Sequence, residues 1–253
     1  MLRYRLAVQR LIKGVAHSMG LEIRFAYQNA PITASGIYSR WIAPDEARCI
    51  FDVGANIGAT AMAFAESYPS AKVHSFEPFS GAFQKLTQMA ARYPGRIIAH
   101  QLGCGDVEGE IEVATSDSTS QLNQLTRAPN GHLPAEAPQP GSRVERVRIA
   151  RLDKFCAENE IQSIDILKTD TEGYDVKVLT GAKLLLSDGR VRCVVTEVGF
   201  LDDSQHTSFS QVYALLHDLG FELAGIYEVS YHRNLACDFA NAVFVHRRWL
   251  KPR

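Results

Sequence analysis

Residues 50–58, which read Ile-Phe-Asp-Val-Gly-Ala-Asn-Ile-Gly, constrain the fold of this chain more than any other stretch. A short apolar run ends at Asp52, Gly54 and Gly58 follow, and small residues in a helical pattern come next. This order predicts a strand, a tight turn and a helix start, where a ligand can approach the backbone and free N–H groups. The spacing is neither Gly-x-Gly-x-x-Gly nor that of a P-loop. The turn therefore suits a nucleoside-bearing ligand with a small charged tail, held partly by Asp52.

A second acid, Glu77, ends the apolar stretch that begins at Lys72. The interval between Asp52 and Glu77 is about what one helix and a returning parallel strand require, so both acids are expected at the ends of neighbouring strands. A carboxylate at the end of the second strand can accept hydrogen bonds from both hydroxyls of a ribose. The alternative is that these two acids only help to form turns.

Segments with strand and helix patterns alternate along most of the chain. Apolar runs predict strands at 50–54, 73–77, 96–102, 110–114, 144–150, 164–169, 191–198, 221–229 and 240–246. Helical patterns occupy 58–67, 80–92, 153–158, 174–187 and 208–219. This alternation predicts an α/β fold with a mostly parallel sheet and helices on both faces. The last two strands have no helix between them and are expected to form an antiparallel pair at the C-terminal edge.

The beginning of the chain predicts a helical extension over 1–45, followed by one domain over 46–253. Apolar residues from Leu2 to Met19 recur at helical spacing, with basic residues between them. We interpret this segment as an N-terminal helix that packs on the domain or on a partner subunit of a homo-oligomer. Peripheral contact of the helix with a membrane surface is an alternative that we do not favour.

Composition excludes several classes of protein. The 253 residues include 27 basic and 28 acidic side chains, and a net charge of −1 argues against a nucleic-acid partner. No apolar run reaches the roughly 18–20 residues of a membrane span. The five cysteines are scattered and form no Cys-x-x-Cys pair. We therefore expect reduced thiols in a cytoplasmic protein, without a zinc site.

Residues 126–142 interrupt the alternating pattern with four prolines and two glycines. Long irregular loops of this kind are either lids over a binding site or disordered tips. Both interpretations stay open from the sequence.

Acids also mark the ends of two later strands. Lys168, Thr169 and Asp170 end one apolar run, Glu172 lies in the turn that follows, and Glu197 lies near the end of the next run. Ligands of open parallel sheets bind outside the carboxyl ends of the strands, so these acids should share one rim. Unpaired carboxylates placed close together raise one another's pKa, which suits a general base or a cation site. The alternative is that Lys168 pairs with one acid while the others face water.

Together these motifs resemble the FkbM family of S-adenosylmethionine-dependent methyltransferases. The likeness is carried by Asp-Val-Gly-Ala-Asn-Ile-Gly at 52–58, Phe-Glu-Pro at 76–78 and Ile-Asp-Ile-Leu-Lys-Thr-Asp-Thr-Glu-Gly-Tyr at 164–174. It continues in order through 179–182, Glu197, 220–221 and 241–245, although Thr171 and Asp175 depart from the family's commoner residues. The resemblance implies a class I methyltransferase, Rossmann-like fold. It also implies O-methylation of a sugar, glycan or natural-product hydroxyl, with S-adenosylmethionine as cofactor.

The resemblance further implies the residues that contact the cofactor. The expected contacts are Asp52, Gly54, Asn56, Gly58, Glu77, Pro78, Gly105 and Asp106. Asp52 and the glycine turn would hold the methionine end, Glu77 the ribose, and Asp106 the amino group of adenine.

Methyl transfer to a hydroxyl needs an aligned acceptor oxygen and a group that removes its proton. Asp170 is the first candidate for that base, with Glu172 and Glu197 orienting the acceptor. His206 and His232, in predicted loops, are alternative bases. Magnesium held by the rim carboxylates is an alternative that we do not favour.

Two other functions stay open from the residues. One is a nicotinamide-dependent oxidoreductase, which the absence of a third glycine opposes. The other is a non-catalytic cofactor-binding protein, which the cluster of acids opposes.

Overall fold

The computed structural model describes residues 38–39, 41–115, 143–201, 206–231 and 236–250. The chain divides into two units, 1–41 and 42–253, and every element below belongs to the second. The expected N-terminal helix, the proline-rich segment 126–142 and His232 lie outside the described residues.

The described residues form ten strands, six α-helices and one short 3₁₀ helix. The strands are β1 (Cys49–Val53), β2 (Lys72–Phe76), β3 (Ile97–His100), β4 (Gly103–Cys104), β5 (Gly109–Thr115), β6 (Arg143–Ala150), β7 (Ile164–Thr169), β8 (Val191–Gly199), β9 (Phe221–Tyr227) and β10 (Phe239–His246). The helices are α1 (Ala59–Ser67), α2 (Ser80–Ala90), α3 (Leu152–Glu158), α4 (Asp175–Gly181), α5 (Lys183–Ser187) and α6 (Phe209–Asp218), and the 3₁₀ helix is Arg247–Trp249.

Seven strands form the main sheet, in the order β3-β2-β1-β7-β8-β10-β9. The first five are parallel, and β10 runs antiparallel to both β8 and β9. The predicted mostly parallel sheet with an antiparallel C-terminal edge pair is therefore confirmed. From β1 the chain adds strands towards one edge, and from β7 it adds them towards the other. The strand order thus reverses between β1 and β7, where open α/β sheets bind their ligands.

The central strands are buried because helices cover the sheet. Phe51 of β1 and Val194 of β8 are fully buried, and they share a core with Leu152, Leu179 and Leu216 from three helices. Such two-sided burial explains why these strands read as continuous apolar runs rather than alternating patterns. No helix in this described part of the chain is long and apolar enough to cross a membrane.

Two expectations about the elements were wrong. The helix expected over 174–187 is two helices, α4 and α5, separated at Ala182. A Cβ on Gly181 would lie 1.9 Å from the carbonyl oxygen of Gly105, so the end of α4 is in contact with another backbone segment. The strand expected over 96–102 ends at His100, and the chain then enters a second sheet of order β4-β6-β5.

Candidate functional site

A cleft of about 240 Å³ opens at the carboxyl ends of β1, β2 and β7, beside the reversal of strand order. The turn after β1, the acid after β2 and the acids after β7 all line it. Apolar side chains form part of its wall, namely Ile57, Phe79, Leu102 and Cys104. The cleft therefore combines an apolar wall with several carboxylates.

Gly54 makes the turn at the floor of this cleft. Its φ is +81°, and the backbone N–H groups of Gly54 and Ala55 both donate to the carbonyl oxygen of Phe76 (3.0 Å each). A Cβ on Gly54 would lie 1.9 Å from the carbonyl oxygen of Asp170. Only glycine fits here, because any side chain would meet the backbone that follows β7.

Glu77 is held at the end of β2 by two backbone donors. Its Oε2 accepts from the N–H of Asn56 (2.9 Å) and its Oε1 from the N–H of Phe79 (3.0 Å). Asn56 has a φ of +48°, which directs its N–H towards Glu77. Burial raises the pKa of Glu77 to about 7, although both N–H groups favour its charged form. One lone pair on each carboxylate oxygen is thus engaged while the side chain still lines the cleft.

Lys168 contacts the acids on both sides of it. Its Nζ lies 2.9 Å from Oδ2 of Asp170 and 3.8 Å from Oδ1 of Asp52. Burial opposes the charged form of Lys168, but Asp170 and Asp52 outweigh it and raise the pKa of the amine. The interpretation of Asp170 as an unpaired carboxylate is therefore wrong. As the alternative proposed, Lys168 pairs with an acid of the rim, but Glu197 does not simply face water, because its side chain is only 17% exposed.

Asp52 lies beneath the cleft and does not line it. It is fully buried, and burial raises its pKa to about 6 against the lowering effect of Lys168. The register explains the contact with the lysine, because Asp52 on β1 lies directly opposite Lys168 on β7. This arrangement therefore gives no support to the expected direct contact between Asp52 and a ligand in the cleft.

Glu172 and Glu197 differ in position. Glu172 lines the cleft from a strained turn, with a φ of +50° followed by +88° at Gly173. Glu197 lies one strand further along the rim, where its Oε2 is 3.9 Å from Nε2 of His206. Burial, followed by the charges of Asp170, Asp175 and Glu172, raises the pKa of Glu197 to about 8.

His206 is held in place beside Glu197. Its ring stacks on Phe239 with a centroid distance of 4.7 Å, and the N–H of Gly199 donates to the carbonyl oxygen of Thr207 (2.8 Å). A Cβ on Gly199 would lie 2.7 Å from the Cβ of His206, so glycine permits this approach. The structure thus brings together two residues that the sequence separates by a strand end and a loop.

Asp175 is a buried acid to which the sequence analysis assigned no role. Its carboxylate accepts from the N–H of Thr171 and from Oγ1 of Thr207, both at 3.3 Å. These bonds link the turn after β7 to the segment that carries His206. Burial, chiefly, raises the pKa of Asp175. The position of the acid at the first turn of α4 was the available signal, because helix starts favour carboxylates.

The structure brings some of the expected cofactor contacts into the cleft and leaves others outside it. Those that line it are Gly54, Asn56, Glu77 and Pro78, together with Asp170 and Glu172 from the expected catalytic set. Besides Asp52 and Glu197, the residues outside the lining are Gly58, Gly105 and Asp106. A Cβ on Gly58 would lie 2.2 Å from Cε of Met89, so Gly58 allows helix packing. The backbone of Gly105 packs on Gly181, and Gly103 and Cys104 line the cleft instead.

Among residues 38–39, 41–115, 143–201, 206–231 and 236–250, no group of three or more His, Cys, Asp or Glu side chains is placed to hold a metal ion.

Comparison with known proteins gives one family and several relatives. The profile of the methyltransferase FkbM domain matches residues 52–223. The 31-O-demethyl-FK506 methyltransferase FkbM of Streptomyces tacrolimicus is 32% identical over 197 residues, which cover 68% of this chain and 72% of that protein. The hexuronic acid methyltransferase AglP of Haloferax volcanii is 27% identical over 154 residues, covering 61% of this chain and 57% of the relative.

Other relatives are longer than this chain. The AMB antimetabolite synthetase AmbE of Pseudomonas aeruginosa is 27% identical over 242 residues, and the match covers 80% of this chain but 11% of that protein. The crystal structure of methyltransferase FkbM from Methylobacillus flagellatus KT aligns with a TM-score of 0.53 and 15% identity. That alignment covers 79% of this chain and 44% of the other, and it concerns the fold alone. The fold is the Rossmann-like sheet of class I methyltransferases.

Proposed function

This chain belongs to the FkbM methyltransferase family, and we propose that it transfers the methyl group of S-adenosylmethionine to a hydroxyl of a sugar, glycan or natural product. The observation that carries the proposal is Glu77, whose two oxygens are held by backbone N–H groups at the edge of the cleft. A carboxylate held in this way can accept from both ribose hydroxyls. The acceptor class is supported by two relatives, named for 31-O-demethyl-FK506 and for hexuronic acid.

The residues of the cleft fit an adenosyl ligand. The missing side chain of Gly54 leaves room for close approach to the turn, and Glu77 is placed for the ribose. Phe79 and Leu102 provide an apolar wall that suits the flat face of adenine. The excess of carboxylates favours a ligand that carries positive charge. When bound, the cofactor supplies an electrophilic methyl group on a sulfonium.

We assign removal of the acceptor's proton to Glu197. Lys168 already engages the charge of Asp170, whereas Glu197 lies next along the rim, with His206 as its neighbour. A general base works best when its pKa is near the working pH, and burial brings that of Glu197 to about 8. Glu172, in the cleft, would orient the acceptor hydroxyl. A positioned base contributes roughly 10²–10⁴-fold, and alignment about 7–11 kcal/mol of the barrier.

A nicotinamide-dependent oxidoreductase is disfavoured by the charges at the cleft. A pyrophosphate bound at the Gly54 turn would lie beside Asp170 and Glu172, both of which line the same cleft. The negative charges of the pyrophosphate and of the two carboxylates would repel one another. The third glycine of the dinucleotide fingerprint is also missing.

Direct binding and transfer measurements test the proposal. Calorimetry should detect S-adenosylmethionine and S-adenosylhomocysteine but not NAD⁺. Radiolabelled methyl should then pass to a hydroxyl of 31-O-demethyl-FK506 or of a hexuronic acid glycoside, the two probes that the relatives suggest. Binding of NAD⁺ alone would overturn the assignment, and cofactor binding without transfer to a broader glycan panel would favour a non-catalytic role. Treatment with EDTA and restoration with magnesium tests metal dependence in the same assay.

A further inference from the structure

We propose that Lys168 and Asp170 form a receptor for the amino-acid end of the cofactor, in which the Lys168 ammonium binds the α-carboxylate and the Asp170 carboxylate binds the α-ammonium. This inference rests on the proposed function. It gives Lys168 a role in binding the cofactor. It also gives Asp170 a role in binding, instead of the role of free base that its position in the sequence suggests.

The ion pair between Lys168 and Asp170 borders the cleft. Lys168 and Asp170 both line the cleft, and their charged atoms lie 2.9 Å apart. The side chain of Lys168 is only 7% exposed, while that of Asp170 is 38% exposed. The charges therefore face a site that is partly shielded from water, where ionic hydrogen bonds are stronger than at an open surface.

Lys168 retains donors for a ligand. An ammonium group has three N–H donors, and Asp170 receives one of them. Asp52 lies 3.8 Å away, which is an ion-pair distance but longer than a hydrogen bond. Asp52 therefore helps to keep the amine charged while leaving its donors available on the side of the cleft.

A zwitterion is the ligand that matches such a pair. Two opposite charges side by side attract two opposite charges in the reverse order, so carboxylate meets ammonium twice. A ligand with a single charge would satisfy one partner and be repelled by the other. The α-amino acid group carries both charges on neighbouring atoms, as the pair requires.

The distance to Glu77 agrees with this assignment. β2, β1 and β7 are neighbours in that order, so the pair on β7 lies two strands from the acid that follows β2. Adjacent strands are about 4.8 Å apart, which places the pair roughly 10 Å from Glu77. A ligand whose ribose bound Glu77 would therefore have to reach across the Gly54 turn to meet Lys168.

The competing interpretation is that Lys168 only balances the buried Asp52. Both oxygens of Asp52 are buried without a hydrogen-bond partner among the residues that the structure describes, so loss of Lys168 would leave an uncompensated charge. That role predicts a general loss of folding or of binding. The receptor role predicts a loss that depends on the charges of the ligand.

A ligand series on the unaltered protein separates the two interpretations. The probes are S-adenosylhomocysteine, its decarboxylated analogue, and 5′-methylthioadenosine, which lacks the whole amino-acid group. Removal of the carboxylate should weaken binding at least about tenfold, as expected for a hydrogen bond to a charged group. Equal affinity for all three probes would overturn the inference while leaving the adenosyl site intact. Failure to bind any of them would instead refute the proposed cofactor.

Variants test the residue itself. Lys168→Gln should weaken S-adenosylhomocysteine about tenfold or more and change 5′-methylthioadenosine less than about twofold. The double variant Asp52→Asn/Lys168→Gln removes both buried charges and serves if the single variant does not fold. Lys154→Gln is the matched control, because Lys154 pairs with Glu108 outside this cleft. This variant should bind both probes normally. If the affinity for both probes fell by the same factor in the Lys168 variants, Lys168 would serve only as a counter-ion to Asp52.

Discussion

Glu77 is a buried acid and Glu197 a partly buried one on the same rim of the sheet, and their surroundings differ. Both carboxyl groups have a raised pKa, to about 7 for Glu77 and about 8 for Glu197, chiefly because of burial. Backbone N–H groups hold the oxygens of Glu77, whereas Glu197 faces the side chain of His206 and the charges of neighbouring acids. Backbone donors fix a carboxylate in one orientation and cannot titrate. We infer that Glu77 recognises hydroxyls and that Glu197 exchanges protons.

Gly54→Ala should have the largest effect, because Gly54 lies against the backbone at the ends of both β2 and β7. Its turn bonds to Phe76, next to Glu77, and its Cβ position overlaps the carbonyl of Asp170. The left-handed conformation costs roughly 1–2 kcal/mol and the overlap about 1–3 kcal/mol more. We therefore expect the free energy of unfolding to fall by about 3 kcal/mol or more in urea titrations.

Gly95→Ala is the control for that substitution. Gly95 has a similar φ of +71°, but no atom lies within 4 Å of its Cβ position. Only the conformational cost of roughly 1–2 kcal/mol should remain. Equal losses in the two variants would show that the overlap at Asp170 is relieved by a small shift.

Glu197→Gln should remove catalysis without removing the cofactor. The amide keeps the size of the side chain but cannot take the proton, so the transfer rate should fall at least about 10²-fold. In the unaltered enzyme the rate should rise with pH through about pH 8, since the carboxylate is the active form. Stopped assays with labelled S-adenosylmethionine and a hydroxyl acceptor measure both effects.

Two controls sharpen that test. S-adenosylhomocysteine should bind the Glu197→Gln variant normally, because Glu197 does not line the cleft. Glu112→Gln changes an acid of the second sheet that pairs with Arg146, and it should leave the rate unchanged. Near-normal turnover in Glu197→Gln would move the base to another group, and His206 would be the next to mutate.

Glu77→Gln should produce the opposite result, with weaker binding. Its amide nitrogen would face one of the two backbone donors, and the charged acceptor for the ribose would be lost. We expect S-adenosylhomocysteine to bind more weakly by about 1.5–3 kcal/mol in calorimetry. At saturating cofactor, the transfer rate should stay within about threefold of normal. An unchanged affinity would show that Glu77 does not bind the ribose.

The pH dependence of binding is the smallest effect. Ribose hydroxyls donate to the ionised form of Glu77, whose pKa is raised to about 7, so binding should release a proton below that pH. The affinity for S-adenosylhomocysteine should therefore rise with pH up to about pH 7, by at most about tenfold per unit, and then level off. Glu77→Gln should flatten this rise. A rise that persists in the variant would come from another titrating group.

Much of the fold and part of the site could be predicted from local pattern. The strand at Cys49–Val53, the turn at Gly54 and the acid at Glu77 follow from apolar runs, glycine and strand ends, which are neighbours in sequence. The prediction of a single helix at 174–187 was wrong because the helix is interrupted beside Gly181, which packs on Gly105, a residue distant in the sequence. Helical periodicity carries no information about such contacts.

The sequence by itself determined which residue types stand at the ends of the strands, and so predicted an acid-rich rim beside a glycine turn. Only the tertiary structure decided which of these acids are paired. Strand order places Asp52 opposite Lys168, which also contacts Asp170, and the approach of Gly199 to residues 206–207 places His206 beside Glu197. The physical reason is that the charge state of a buried carboxylate depends on its nearest charges and on its access to water. Both are set by segments far apart in the chain.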